Sequence, residues 1–197
     1  MIVYACSTNP GKLREFRLAA RASLSAGLEI EPLPGIANIQ PPEETGVSFE
    51  ENAALKASYY SGFTPELVFA DDSGLAVDAL GGAPGVYSAR YAGPNATDAA
   101  NNQLLLERLE SAEDRNGRFV CAIAVAQRGR VLEIFCGTVE GQILPQPRGT
   151  GGFGYDPLFF YPPFGRTLAE AAAEQKFSVS HRGKALRAMI AWLAERR

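Results

Sequence analysis

Apolar residues recur along this chain with two periods, and the switches between them mark out its elements. Ile2 to Cys6 is an unbroken apolar run and predicts a short buried strand. Leu13, Phe16, Ala20 and Leu24 then fall at helical spacing, on one face of a first helix. Leu28 to Leu33 predicts a second strand, ended by Pro34-Gly35. A second helix is expected to start at Ser48, because Ser48-x-x-Glu51 is a capping box ahead of an alanine-rich run. Leu67 to Ala70 predicts a strand, and Leu75 to Leu80 a second, less regular one. A third helix follows Thr97-Asp98 and carries Leu104, Leu105 and Leu109. Phe119–Gln127 and Val131–Val139 are apolar runs joined at Arg128-Gly129, which predicts a hairpin. Leu158 to Tyr161 predicts another strand. The last helix follows Ser180, with Leu186, Met189, Ile190 and Leu193 on one face. Strands alternate with helices and the hairpin adds antiparallel pairing, so the expected class is α/β, a mixed sheet flanked by helices.

Composition narrows the function classes. The 197 residues suit a single domain, 1–197, which a cleft can divide into two lobes. Hydrophobic residues are 46% and charged residues 21%, which excludes a disordered or collagen-like chain. The net charge of −3 gives no basic excess, so no nucleic-acid partner is expected. The longest apolar run, Phe119 to Ala126, is far short of the roughly 20 residues that span a bilayer, so no membrane association is expected. No leader peptide is expected either, since the start has no basic segment followed by a long apolar stretch. Cys6, Cys121 and Cys136 form no C-x-x-C pair and read as reduced, buried thiols of a cytoplasmic protein. With one histidine, His181, a zinc site has too few clustered ligands. A hard cation held by carboxylates, Mg²⁺, is the metal this inventory points to.

Four segments carry candidate chemistry. Ser7-Thr8-Asn9-Pro10-Gly11-Lys12 lies between a strand and a helix, where outward N–H groups favour an anion and Lys12 adds positive charge. The Walker A spacing is absent, and the segment alone reads more simply as a strand-to-helix turn capped by Asn9. Ala70-Asp71-Asp72-Ser73-Gly74 places two adjacent carboxylates after an apolar strand, costly unless a cation lies nearby. Its plain alternative is a solvated Asp-Ser-Gly turn. Glu43-Glu44 is a similar pair, or merely complements a helix dipole. Gly149 to Pro157 matches G-x-G-x-x-G but leads into Tyr-Asp-Pro and a strand, which rules out a dinucleotide loop. Phe153 and Tyr155 there either stack on a flat base or belong to the core. Lys176 and Ser180-His181-Arg182-Gly183-Lys184 gather cations at the start of the last helix, against the helix dipole, which hints at an anion or a carbonyl-bearing ring. The alternative is a capped helix start with a solvated histidine. Lysines are only four, Lys12, Lys56, Lys176 and Lys184, and Lys12 and Lys176 fall in these segments.

In order, STNPGK, EETGVSFEENAALKA, ADDSGLAVDALGGAPGVYSARYAG, GTGGFGYDP and SHRGKAL resemble the inosine triphosphate pyrophosphatase family, the Ham1-like purine nucleoside triphosphatases. The resemblance covers nearly the whole chain. It implies an elongated α/β fold with a long mixed sheet, two lobes and a central active-site cleft, and a cytoplasmic homodimer. It implies Mg²⁺-dependent hydrolysis of a purine nucleoside triphosphate substrate (ITP, dITP or XTP) to monophosphate and pyrophosphate. Carried onto this sequence, Ser7, Thr8, Asn9, Pro10, Gly11 and Lys12 would hold the triphosphate. Asp72 would bind the metal and accept the proton of water, with Glu44 as second metal carboxylate. Ser73, Phe153, Gly154, Tyr155, Asp156, Lys176, His181 and Arg182 would contact the substrate.

The chemistry is consistent with that assignment. Attack at the α-phosphorus needs the charge of three phosphates neutralised, and a water positioned and partly deprotonated. His181 and Arg182 are donors that suit a 6-oxo group, whereas ATP presents a 6-amino donor. Three rivals stand beside this reading: a Maf-like pyrophosphatase of modified pyrimidine nucleotides, a nucleotide sensor that does not hydrolyse, and a Cys6–His181 thiol hydrolase.

Overall fold

The computed structural model describes residues 1–23 and 27–196. In chain order the elements are β1 (Ile2–Ala5), α1 (Pro10–Ser23), β2 (Glu29–Pro32), α2 (Phe49–Tyr60), β3 (Leu67–Val77), α3 (Asp98–Arg108), β4 (Asn116–Gln127), β5 (Arg130–Ile143), β6 (Phe159–Tyr161), β7 (Arg166–Thr167), α4 (Ala173–Val179) and α5 (His181–Ala194). The strands form one seven-stranded sheet in the order β2-β1-β3-β4-β5-β6-β7. β1 runs parallel to β2 and β3, with Val3 opposite Ile30 and Leu67. β6 pairs antiparallel with β5 and β7. The sheet is therefore mixed, as the alternation of helices and a hairpin requires. Among the described residues no helix is long and apolar enough to cross a membrane.

The local signals act where they were read. Ser48 caps α2, its Oγ accepting the Glu51 N–H at 3.1 Å. The Glu51 carboxylate reaches one residue further back than a capping box predicts and accepts the Val47 N–H at 2.8 Å. Thr97 caps α3 in the same way, accepting the Ala100 N–H. The hairpin turn has φ 52° at Arg128 and φ 78° at Gly129, the doubly left-handed turn that matches strand twist. On α1 Phe16 is buried while Leu13 and Ala20 are half-buried. Leu24 lies outside the described residues.

Two expectations need correction. Leu67–Ala70 and Leu75–Leu80 are not separate: β3 runs unbroken from Leu67 to Val77, through Asp71-Asp72-Ser73-Gly74. The acidic pair stays in the strand because each carboxylate meets cations there, and residues 78–80 form a short 3₁₀ turn instead. Lys176 does not belong to the last helix. It lies in α4, which Ser180 closes with extended backbone (φ −64°, ψ 155°) before α5 begins.

The chain divides into two units, Met1–Asp72 with Cys121–Gly137 and His181–Arg197, and Ser73–Val120 with Thr138–Ser180. In the first, Ala53 and Ala57 of α2 pack on Ala122, Ala124 and Ala126 of β4, together with Val68, Ala70 and Leu33. Strand alternation sends the other β4 residues, Cys121, Ile123 and Val125, to the opposite face, where they are also fully buried. In the second unit the core is Leu75, Val77, Leu105, Leu109, Phe119, Val139, Ile143, Tyr155, Leu158, Phe159 and Leu168.

Gly137 of β5 sets the start of α5. A methyl group there would lie 2.2 Å from the His181 carbonyl oxygen and 2.9 Å from the Ala185 nitrogen. Gly137→Ala is therefore expected to cost about 1–3 kcal/mol by overpacking. A fall of the thermal midpoint by roughly 2–12 °C checks it, and an unchanged midpoint would mean that α5 shifts without penalty.

Candidate active site

Adjacent residues of a strand face opposite ways, and the acidic pair of β3 uses both sides. Asp71 Oδ2 receives Lys12 Nζ of α1 at 3.1 Å and Arg182 Nε of α5 at 3.1 Å. Arg182 also donates through Nη1 to Glu15 of α1, so two cations and two carboxylates interlock. Arg182 is 2% exposed and Asp71 3%. Burial alone would raise the Asp71 carboxyl, but Lys12, Arg182 and Lys56 overturn that and hold it well below the usual carboxylate range.

Asp72 faces α2. Its Oδ1 receives Lys56 Nζ at 2.8 Å, and the same ammonium reaches Glu44 Oε1 at 2.7 Å. The amide of Asn52, one helical turn before Lys56, donates to Asp72 Oδ2 at 3.4 Å. Burial pushes the Asp72 carboxyl upward, against the pull of Lys56 and Lys12. Burial also works against the Lys56 ammonium, yet Asp72, Asp71 and Glu44 more than offset it and raise its pKa. The result is a pair of carboxylates from two chain segments that jointly hold one cation.

That pair is compatible with a divalent cation. Among the described residues no group of three or more His, Cys, Asp or Glu is arranged to hold a metal ion. Two carboxylates are nevertheless what Mg²⁺ commonly takes from a protein, with phosphate oxygens and waters completing its six ligands. Glu44 and Asp72 fit such an ion, because they already share a cation between them.

The phosphate candidate lies in the same unit. Asn9 caps α1, accepting the Lys12 N–H through Oδ1 at 3.0 Å, and Ser7 Oγ accepts the Asn9 N–H at 3.2 Å. Pro10 is the first residue of the helix, where its fixed φ suits helix entry. Thr8, Asn9 and Pro10 are exposed, Ser7 is half-buried and Gly11 buried. The first turn carries no acid, so the positive helix end and Lys12 are not opposed from within it. His181 is buried, not solvated.

The remaining candidates belong to the second unit. Ser73, next in sequence to Asp72, is half-buried. Asp156 organises the glycine-rich loop: its Oδ2 accepts the Phe153 N–H at 2.8 Å and Lys176 Nζ at 2.6 Å. The Lys176 ammonium also lies 5.0 Å from the centre of the Phe153 ring, within cation–π range. Gly154 is held at both ends, its N–H given to Asp98 at 2.7 Å and its carbonyl to the Asn102 amide at 2.9 Å. Tyr155 is a core residue, 4% exposed, its hydroxyl donating to the Ser88 carbonyl at 2.8 Å. Of the two loop aromatics, Phe153 is the half-buried one.

Sequence reasoning missed five residues of these groups: Glu15, Asn52, Lys56, Asp98 and Asn102. One signal was available. Asn52 with Lys56, and Asp98 with Asn102, are polar pairs four apart on a helix, hence on one face. The cysteines are settled by burial. Cys6 is pushed up to about 12 and so stays protonated, which removes the thiol-hydrolase rival. Cys136 is exposed rather than buried, its thiol donating to Glu50 at 3.4 Å, because its strand alternates toward solvent.

A carboxylate pair that shares one cation, beside a basic helix start on a mixed sheet, suits an α/β protein of the phosphate-handling class. Comparison with known proteins is specific. The Ham1 family model matches residues 3–192, and the chain belongs to that family. It is similar to the dITP/XTP pyrophosphatase of Acidobacterium capsulatum, with 50% identity over 98% of each chain. It is also similar to the dITP/XTP pyrophosphatase of Geobacter sulfurreducens, with 51% identity over 90% of this chain and 89% of that one. Among solved structures, a HAM1 protein from Coxiella burnetii superposes with a TM-score of 0.87 at 41% identity, covering 99% of both chains.

Proposed function

We propose that this protein hydrolyses the non-standard purine nucleoside triphosphates ITP, dITP and XTP to the monophosphate and pyrophosphate, and so removes them from the nucleotide pool. The observation that carries the reading is the buried Asp72 carboxylate paired with Glu44 across the Lys56 ammonium. The names of relatives about half identical over nearly the whole chain agree with it.

Asp72 and Glu44 would hold Mg²⁺, which when bound supplies charge neutralisation to the phosphates and acidity to a water. Asp72 takes the proton of the attacking water. Lys12 and the positive N-terminal end of α1 receive the phosphates, with Ser7 to Gly11 shaping that turn. Asp71 and Glu15 orient Lys12 and Arg182.

Phe153 offers its ring to the purine face, and Asp156 with Lys176 fixes the loop that presents it. Ser73 and Gly154 complete that side of the substrate, with Tyr155 supporting the loop from the core. His181 and Arg182 meet the 6-oxo oxygen as donors. ATP places an amino donor against these donors, and each buried polar group left unpaired costs about 1–3 kcal/mol. A cytoplasmic homodimer is part of the same proposal.

Incubation with Mg²⁺ and ITP, dITP, XTP, dUTP or ATP, followed by identification of the products, tests it. The 6-oxo purine nucleotides are expected to give monophosphate and pyrophosphate, with ATP turned over far more slowly. Release of orthophosphate and a diphosphate would exclude attack at the α-phosphorus, and a preference for dUTP would favour the pyrimidine reading.

A further inference from the structure

Asn52 is fully buried on the first turns of α2, and both ends of its amide are engaged. Oδ1 accepts the Gly46 N–H at 2.8 Å, and Nδ2 donates to Asp72 Oδ2 at 3.4 Å. The partners dictate the amide's orientation, since a backbone N–H only donates and a carboxylate only accepts. Gly46 lies two residues after Glu44. Its backbone is pressed so closely on α2 that a Cβ would lie 2.7 Å from Asn52 Oδ1 and 2.8 Å from Glu51 Cβ. Val47 and Ser48 are tied to the same turn through Glu51.

Lys56 lies one turn further along the same face and spans the same two segments, joining Glu44 to Asp72. The helix thus presents two parallel bridges from the Glu44 loop to β3. The charged bridge is mobile in principle, because an arriving metal ion competes for both of its carboxylates. The neutral bridge is less open to that competition, because Asn52 is buried, meets Asp72 at Oδ2 rather than at the Oδ1 that Lys56 uses, and has the backbone N–H of Gly46 as its other partner.

We propose that Asn52 is a positioning residue that sets the span between Glu44 and Asp72, so that the two carboxylates keep a metal-ready separation. This rests on the reading of those two residues as the metal-holding pair. No other side chain of comparable length does both tasks. Aspartate keeps the acceptor for Gly46 but sets an oxygen against Asp72, and leucine keeps the volume but makes neither bond.

The test uses Mn²⁺ as probe on the nucleotide-free full chain, followed by electron paramagnetic resonance, together with kcat and KM for ITP and the thermal midpoint. Asn52→Ala is expected to weaken Mn²⁺ binding by about 10–100-fold and to lower kcat by a similar factor, while KM for ITP moves by less than about threefold. Gly46→Ala, which displaces the loop without touching Asp72, is expected to weaken Mn²⁺ binding in the same direction. It decides the matter if Asn52→Ala does not fold. A folded Asn52→Ala, or in its place a folded Gly46→Ala, with a lowered midpoint but unchanged Mn²⁺ affinity and kcat would overturn the proposal. Wild-type protein that binds no Mn²⁺ and hydrolyses nothing would overturn the proposed function, and this inference with it.

Discussion

Asp72→Asn is expected to leave a folded protein whose kcat has fallen by at least 10²–10⁴-fold, the usual share of a general base, worth about 3–5 kcal/mol of barrier. The substitution keeps the shape of the side chain but removes the basic oxygen and one of two carboxylates facing Lys56. Folding does not suffer equally, because burial already penalises the charged form at this position. Asp71→Asn inverts the pattern. It removes the carboxylate that Lys12 and Arg182 share, so the thermal midpoint falls while the proton acceptor remains. Measuring kcat at saturating Mg²⁺ and the midpoint for both variants separates the roles. Near-native kcat in Asp72→Asn would sink the assignment, and a reversed ranking would transfer it to Asp71.

Arg182→Met is expected to cost about 3–5 kcal/mol of stability, the usual consequence of stranding a buried charge. Glu15, 7% exposed, loses its guanidinium partner, and Asp71 loses one of the cations that hold it, Lys12 remaining at 3.1 Å. For a chain of this size the midpoint should drop by roughly 6–20 °C. Adding Glu15→Gln should recover much of that loss, since the double variant no longer buries a carboxylate that has lost its guanidinium. Failure of Glu15→Gln to rescue would show that the ion pair is not what Arg182 contributes to folding. Well below the lowered midpoint, the ITP-to-ATP ratio of kcat/KM reads the base contact separately, and an unchanged ratio would remove Arg182 from recognition of the 6-oxo group.

The sequence made the architecture legible wherever structure is decided locally. Ser48 and Thr97 announce their helices because a cap is satisfied within one turn. Arg128-Gly129 announces the hairpin because two residues suffice to reverse a strand. Continuity of β3 was not legible. Asp-Asp-Ser-Gly has the composition of a turn, and what keeps it extended are cations supplied by α1, α2 and α5. The partners of Arg182 lie 111 and 167 residues away in sequence, beyond any periodicity. The site was legible as motifs and not as a circuit. Asp71-Asp72 and Glu43-Glu44 stood out as two acidic pairs, from which the family resemblance selected Asp72 and Glu44, but Lys56 between them looked like one more polar residue of an alanine-rich helix.

The alanine seam between α2 and β4 carries a consequence for how the protein tolerates sequence drift. Ala53 and Ala57 of the helix, and Ala122, Ala124 and Ala126 of the strand, put methyl groups at five positions of the cluster that joins them. A valine at 124 is conservative by any hydropathy scale and would cost only about 1–3 kcal/mol as overpacking. Yet it would lift the helix that carries Asn52 and Lys56 away from the strand that carries Asp72. The gauge of the active site is thus machined into the smallest residues of the interior. Mutations there would silence the enzyme while the fold persists, so a screen for soluble protein would accept variants that a screen for turnover rejects.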